Sequence, residues 1–209
     1  MLFTGGHGGL QLKADGTITE LQGNFLLRSR EAFAAQGFAV AVIDAPSDRQ
    51  SPPYLGGFRQ TAEHVNDVKS VIAWLRRELK LPVWLIGTSR GTQSVAYIAT
   101  QVAPADGGPD GIVLTATILD DHRTRAVPEM ALERIKVPVL VVHHLQDGCR
   151  VCLFSDMPRL TAKLKSIPRT ELITFDGGIN IGNPCEARAY HGFNGIEADV
   201  IARIAAWIR

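Results

Sequence analysis

Apolar residues in this chain follow two patterns. Six short runs are apolar almost throughout: the opening Met1 to Gly6, Phe38 to Asp44, Pro82 to Gly87, Gly111 to Thr117, Val137 to His144 and Glu171 to Phe175. Runs of that length and character are what strands buried on both faces require. Between them the spacing changes to three and four. Val65, Val68, Ile72, Leu75 and Leu79 fall on one stripe of a helix, as do Leu160, Leu164 and Ile167, and Val200, Ile204, Trp207 and Ile208. Leu26 to Ala35 reads the same way and ends at Gly37 as a C-cap. Strands alternating with helices predict an α/β chain: a three-layer α/β/α sandwich around a mainly parallel sheet of about six strands. The Gly- and Pro-rich pieces Ala45 to Gly57, Ala103 to Gly111 and Gly177 to Pro184 lie between these elements and read as loops.

With 209 residues and no linker-like tract, one domain over 1–209 is expected. Hydrophobic residues at 45% and charged residues at 21% exclude disordered, collagenous and coiled-coil classes. Lys plus Arg is 22 against 21 for Asp plus Glu, which leaves no basic footprint for nucleic acid or an anionic membrane. A small, neutral molecule is the expected partner, and the chain a monomer or small homo-oligomer. No apolar stretch approaches the roughly 20 residues of a membrane span. The N-terminus lacks the basic start and long apolar run of a signal peptide, and reads as a strand that begins inside the fold.

The candidate chemistry centres on Gly87-Thr88-Ser89-Arg90-Gly91. A Gly-x-Ser-x-Gly pentapeptide means little by itself, but this one follows the apolar run Val83-Trp84-Leu85-Ile86 and opens the helical run Thr92 to Val102. Strand, sharp turn and helix make a nucleophile elbow. Side chains at Gly87 or Gly91 would collide with neighbouring backbone there, and the turn would lift the Ser89 hydroxyl above the sheet edge. A serine hydroxyl needs a histidine to take its proton and an acid to orient that histidine. In a strand–elbow–helix arrangement these partners follow in the order acid, then histidine. Asp147 stands just past the buried run Val139 to Val142, and after it the chain holds a single histidine, His191. Ser89, Asp147 and His191 are therefore the expected nucleophile, acid and base. Asp120 and Asp121 are the alternative acids, and Asp176, beside Gly177-Gly178, suits a turn. His143 and His144 suit packing or support of the acid, and His64 and His122 suit the surface or a helix start. The developing oxyanion needs backbone donors. The amide of Arg90 and, from the Gly5-Gly6-His7-Gly8-Gly9 loop, the amide of His7 are the expected pair.

Taken together, Leu2-Phe3-Thr4-Gly5-Gly6-His7-Gly8, Gly87 to Gly91, Val137 to Asp147 and His191-Gly192-Phe193 resemble the third strand and oxyanion loop, the nucleophile elbow, the acid-bearing strand and the histidine loop of the α/β-hydrolase superfamily. The resemblance covers nearly the whole chain and is closest to small bacterial serine esterases and dienelactone-hydrolase-like enzymes, although the latter carry cysteine where this chain has Ser89. It implies a carboxylic ester hydrolase that works through an acyl-enzyme, without a cofactor or a metal, on small or short-acyl substrates. The superfamily's first two antiparallel strands are absent. The segment Leu119 to Ile135, where many members insert a lid, is short, so an open, lidless site is expected. Pro52, Pro53, Tyr54, Leu55 and Phe58 are expected to supply apolar contacts on one side of it. The same machinery would serve a thioesterase or an amidase, and the fold also hosts non-catalytic binding proteins.

Three cysteines remain, Cys149, Cys152 and Cys185. The superfamily's geometry brings the acid loop and the histidine loop together, which implies a disulfide between Cys149 and Cys185 and hence an oxidising, periplasmic or secreted location. Three free thiols in a cytoplasmic protein are the alternative. Zinc held by Cys149-x-x-Cys152 with Cys185 and a histidine is a third reading, weakened by the lack of a second close pair.

Overall fold

The computed structural model describes residues 1–209. Five strands, β1 (Leu2–Phe3), β2 (Trp84–Thr88), β3 (Gly111–Thr115), β4 (Val139–His144) and β5 (Thr170–Phe175), form one all-parallel sheet in the order β1-β2-β3-β4-β5. Six α-helices accompany them: α1 (Phe25–Arg28), α2 (Arg30–Ala35), α3 (Ala62–Leu79), α4 (Gly91–Gln101), α5 (Met157–Leu164) and α6 (Glu197–Ile208). The period of two along the strands sorts the core into two layers. Leu85, Ile112, Leu114, Val139 and Val141 face Val65, Val68 and Ile72 of α3, Val95 and Ile98 of α4, and Leu160 of α5. Ile86, Val113, Leu140 and Val142 face Phe25, Leu26 and Phe33 of α1 and α2, and Val200, Ile201 and Ile204 of α6. The three layers expected from the alternation of periods are thus present.

The sixth strand is not. Phe38 to Asp44 runs extended beside β1 but makes a single bridge, Leu2 to Val42. The hydrogen bonds there are Leu2 N–H to Ala41 O and Ile43 N–H to Leu2 O. With only two residues in β1 to pair against, an apolar run of strand length has no ladder to join. The expected helix Leu26 to Ala35 is divided at Ser29, which closes α1 and begins α2. Leu79 ends the α3 stripe but is exposed, because Lys80 turns the chain left-handed at the C-cap. The segment Leu119 to Ile135 holds two short 3-10 turns and sends Val127, Met130, Leu132 and Ile135 into the core.

Candidate active site

The C-terminal ends of the strands carry the candidate chemistry. β2 ends at Thr88 and α4 opens at Gly91, so Ser89 and Arg90 make the whole turn. Ser89 has a φ of 51°, a left-handed conformation that a non-glycine residue rarely adopts and that marks a strained turn. A hydrogen bond from Ser89 N–H to Thr115 O holds it, as do two bonds accepted by Ser89 O, from Thr92 N–H and the Thr92 hydroxyl. Both flanking glycines are required. A Cβ on Gly87 would lie 2.6 Å from the Gly91 carbonyl oxygen, and one on Gly91 would lie 2.1 Å from the Phe3 carbonyl oxygen. Gly5 passes so close that a Cβ there would sit 2.9 Å from the Ser89 Cβ.

Asp147 follows β4 and is buried; His191 is buried in a 3-10 turn before α6. They meet across 44 residues: His191 Nδ1 lies 2.8 Å from Asp147 Oδ2. A carboxylate accepts, so Nδ1 carries the proton and Nε2 keeps its lone pair, with no hydrogen-bond partner. The other carboxylate oxygen, Oδ1, accepts from Cys149 N–H at 2.9 Å. Both oxygens of the acid are thereby fixed. His143 lies under the pair, its Nε2 bonded to Cys152 O at 2.7 Å and standing 3.7 Å from Asp147 Oδ2; burial lowers its pKa. His144 points elsewhere, stacked on Tyr190 at 4.4 Å and donating from Nε2 to Gly177 O. Cys149 is joined to Cys185 by a disulfide, so the acid loop and the histidine loop are covalently linked.

Ser89 and His191 line one cavity of about 320 Å³ with Gly5, Gly6 and His7 on one wall and Cys185, Glu186 and Ala187 on another. Ser89 Oγ makes no hydrogen bond to His191 Nε2. Neither the Arg90 N–H nor the His7 N–H has an acceptor within the chain. Arg59 orients the second of these. Its buried guanidinium donates to Ser94 Oγ at 3.0 Å and to the carbonyls of Thr4 and Gly6, each at 3.2 Å. In a trans peptide the carbonyl and N–H point in opposite directions, so fixing Gly6 O toward Arg59 turns the His7 N–H away from it. The His7 ring packs on Tyr54 at 4.5 Å and accepts from Gly9 N–H.

Asp121 belongs to a different group. It is buried and takes hydrogen bonds from Arg90, Gln93 and Thr124, with the Arg90 contact at 2.8 Å. Burial alone would raise its pKa, but the bonds from Arg90, Thr124 and the Arg123 N–H outweigh it and hold the carboxyl well below the usual range. Asp120 lies 3.8 Å from the exposed His122. Neither alternative acid meets His191. His64 opens α3 as expected but is buried, not on the surface, and neither ring nitrogen has a partner.

Two parts of the site differ from expectation. Tyr54, Leu55 and Phe58 form a buried cluster with Ala45 behind the glycine loop, so they do not line the cavity. The wall they were expected to form comes from Leu21, Gly23, Asn24 and Phe25, which no sequence motif marks. Arg28 ties this wall to the histidine loop by donating to Gly23 O and to Gly192 O. A second, more apolar cavity of about 320 Å³ lies around Pro82, Val83 and Trp84, at the opposite end of the sheet from Ser89.

Comparison with known proteins agrees with this architecture. No curated protein matches the sequence significantly. The esterase domain of a Rhodothermus marinus protein superposes with a TM-score of 0.56 at 14% identity, covering 90% of this chain and 80% of that one. A cold-adapted esterase from an Arctic intertidal metagenomic library, solved with bound PEG, superposes with a TM-score of 0.58 at 14% identity, covering 98% and 81%. At such identity the likeness is one of fold. The family described as serine aminopeptidase, S33, matches residues 23–144, which include the whole Ser89 elbow and more than half of the chain. The chain therefore belongs to that family of serine hydrolases, within the α/β-hydrolase superfamily.

Proposed function

We propose that this protein hydrolyses carboxylic esters of small or short-acyl substrates through an acyl-enzyme. Ser89 Oγ attacks the carbonyl carbon while His191 Nε2 takes its proton. Asp147 holds the imidazole in the tautomer that leaves Nε2 free, and stabilises the imidazolium. The amides of Arg90 and His7 receive the negative charge that develops on the carbonyl oxygen. His191 then returns the proton to the leaving alcohol, and water, activated by the same nitrogen, releases the acid. The observation that carries this reading is the 2.8 Å bond between His191 Nδ1 and Asp147 Oδ2, with an unpartnered Nε2 in the cavity that Ser89 lines. No cofactor enters the mechanism.

The small cavity supports short acyl groups, and the packing of Val127, Met130 and Leu132 into the core supports a lidless entrance. The Cys149–Cys185 disulfide supports a periplasmic or secreted location. A single domain over 1–209 fits the continuous sheet. The family's description as an aminopeptidase favours one second reading, amide hydrolysis by the same groups. A panel of p-nitrophenyl esters of increasing acyl length, run beside thioester and aminoacyl-amide substrates, separates them. Fastest turnover on acetyl and butyryl esters is expected. An optimum at twelve carbons or more, or faster amide cleavage, would contradict it.

A further inference from the structure

One thiol has no place in this mechanism. Cys152 is fully buried, with its Sγ 3.4 Å from the Ala116 carbonyl oxygen. Its surroundings are unusual for an idle cysteine. Cys149 Sγ, Cys152 Sγ and a ring nitrogen of His191 all lie within 4.8 Å of one another, and all three residues are buried. Cys185 Sγ is bonded to the first of them. Two sulfurs and one imidazole thus converge from two loops, with Cys185 Sγ attached to one of the sulfurs. Ligand atoms around a tetrahedral zinc ion, at about 2.3 Å for sulfur and 2.0 Å for nitrogen, stand about 3.5 to 3.8 Å apart. Shifts of about 1 Å would bring this set to that geometry.

The disulfide decides whether the set can act. A sulfur in an S–S bond is not a thiolate and does not hold zinc, so the oxidised chain offers only Cys152 and His191. We propose that reduction of the Cys149–Cys185 bond converts this cluster into a zinc site formed by Cys149, Cys152 and His191, with the fourth position left to water. A dithiol reductant supplies two electrons, closes into its own disulfide and leaves thiols at 149 and 185. The zinc ion keeps its charge, and the protons of Cys149 and Cys152 pass to solvent as the two thiolates bind. Binding also takes the His191 ring from the cavity, so the loaded form does not hydrolyse esters. That consequence, though not the site, rests on the function proposed above.

Cobalt(II) gives a readout independent of activity, because thiolate ligation produces a charge-transfer absorption in the near ultraviolet. The full chain is reduced with a dithiol, desalted without oxygen and titrated with Co²⁺. One equivalent should bind with the thiolate band, the oxidised chain should show none, and the Cys152→Ala chain should bind more than about tenfold more weakly. Cys185 is exposed, so Cys185→Ser breaks the disulfide without disturbing the core. It should bind Co²⁺ with no reductant present. Ester turnover of the reduced chain should fall at least tenfold when Zn²⁺ binds, and a chelator should restore it. Absence of the band in both the reduced chain and Cys185→Ser would overturn the proposal. So would titrations unchanged by Cys152→Ala, or full turnover with the metal bound. If the chain hydrolyses no ester at all, the optical titration still decides the site.

Discussion

His191 sits 44 positions after Asp147 and meets it through one hydrogen bond, so a change of one atom at Asp147 tests the pairing. In Asp147→Asn the amide can donate to Nδ1, which puts the imidazole proton on Nε2 and removes the base. Turnover should fall roughly 10⁴-fold with the fold retained. Asp120→Asn should leave turnover within about twofold, since that carboxylate faces only an exposed histidine. Steady-state kinetics on a short-chain ester, with circular dichroism as control, would give the ranking. The reverse ranking would move the acid to the loop after β3. At this scale the sequence was informative because the chemistry constrains residue type and order. An elbow needs glycines where a Cβ would strike Gly91 O or Phe3 O, and only one histidine follows Asp147. Arg59 was not legible. Nothing in its neighbourhood marks a buried cation that takes two main-chain carbonyls and one hydroxyl as partners.

Elements decide how firmly these residues are held. Arg59, just ahead of α3, fixes the glycine loop by its bonds to Thr4 O and Gly6 O. Arg59→Ala would leave both carbonyls without that donor and free the Gly6–His7 peptide to rotate. If the His7 amide serves the oxyanion, kcat should fall about 10²-fold with little change in KM, the scale of losing one such donor. Arg59→Lys should restore part of it. A change confined to thermal stability would mean that the loop is structural only. The disulfide acts on the other side of the site, through Cys149 beside Asp147 and Cys185 before His191. On the chain-entropy account its 36-residue separation is worth about 3 to 4 kcal/mol. In the presence of a chelator, reduction should lower activity at temperatures where the circular dichroism of the sheet is still native. Simultaneous loss of both would deny the link a positioning role. The elements themselves were read well where the pattern was long, as in α3, and poorly where a neighbour was short. Phe38 to Asp44 has the composition of a strand, but β1 offers it two residues. The direction of Pro52 to Phe58 is set by Tyr54 stacking on His7, a contact invisible to periodicity.

For the whole molecule, stability carries a pH signature set by one buried histidine. His64 is buried among Phe3, Phe58 and the Arg59 charge, and burial, then Arg59, lowers its pKa to about 3. The folded state therefore keeps it neutral while the unfolded chain protonates it near 6.5. Between those values the unfolded state binds more protons, so stability is lost on acidification, at up to about 1.4 kcal/mol per pH unit. Denaturant titrations from pH 7 to 4 should show this slope, and His64→Phe should reduce it. An unchanged slope would place the acid sensitivity elsewhere. The three-layer architecture was legible because short continuous apolar runs alternate with stretches spaced at three and four, which suffices to place buried strands between helices. The cavity was legible only in part, because its walls come from loops whose paths are set by contacts such as those of Arg28 with Gly23 and Gly192.

Under the proposed mechanism Ser89 Oγ is the nucleophile that attacks the substrate carbonyl and becomes acylated. Treating the oxidised protein with a fluorophosphonate and mapping the adduct by mass spectrometry tests it most directly, because such reagents phosphonylate a serine only when a neighbouring base activates it. One adduct is expected, on the peptide containing Ser89, with ester turnover lost in proportion to labelling. An unlabelled Ser89, or labelling at another serine with the same loss of turnover, would contradict it.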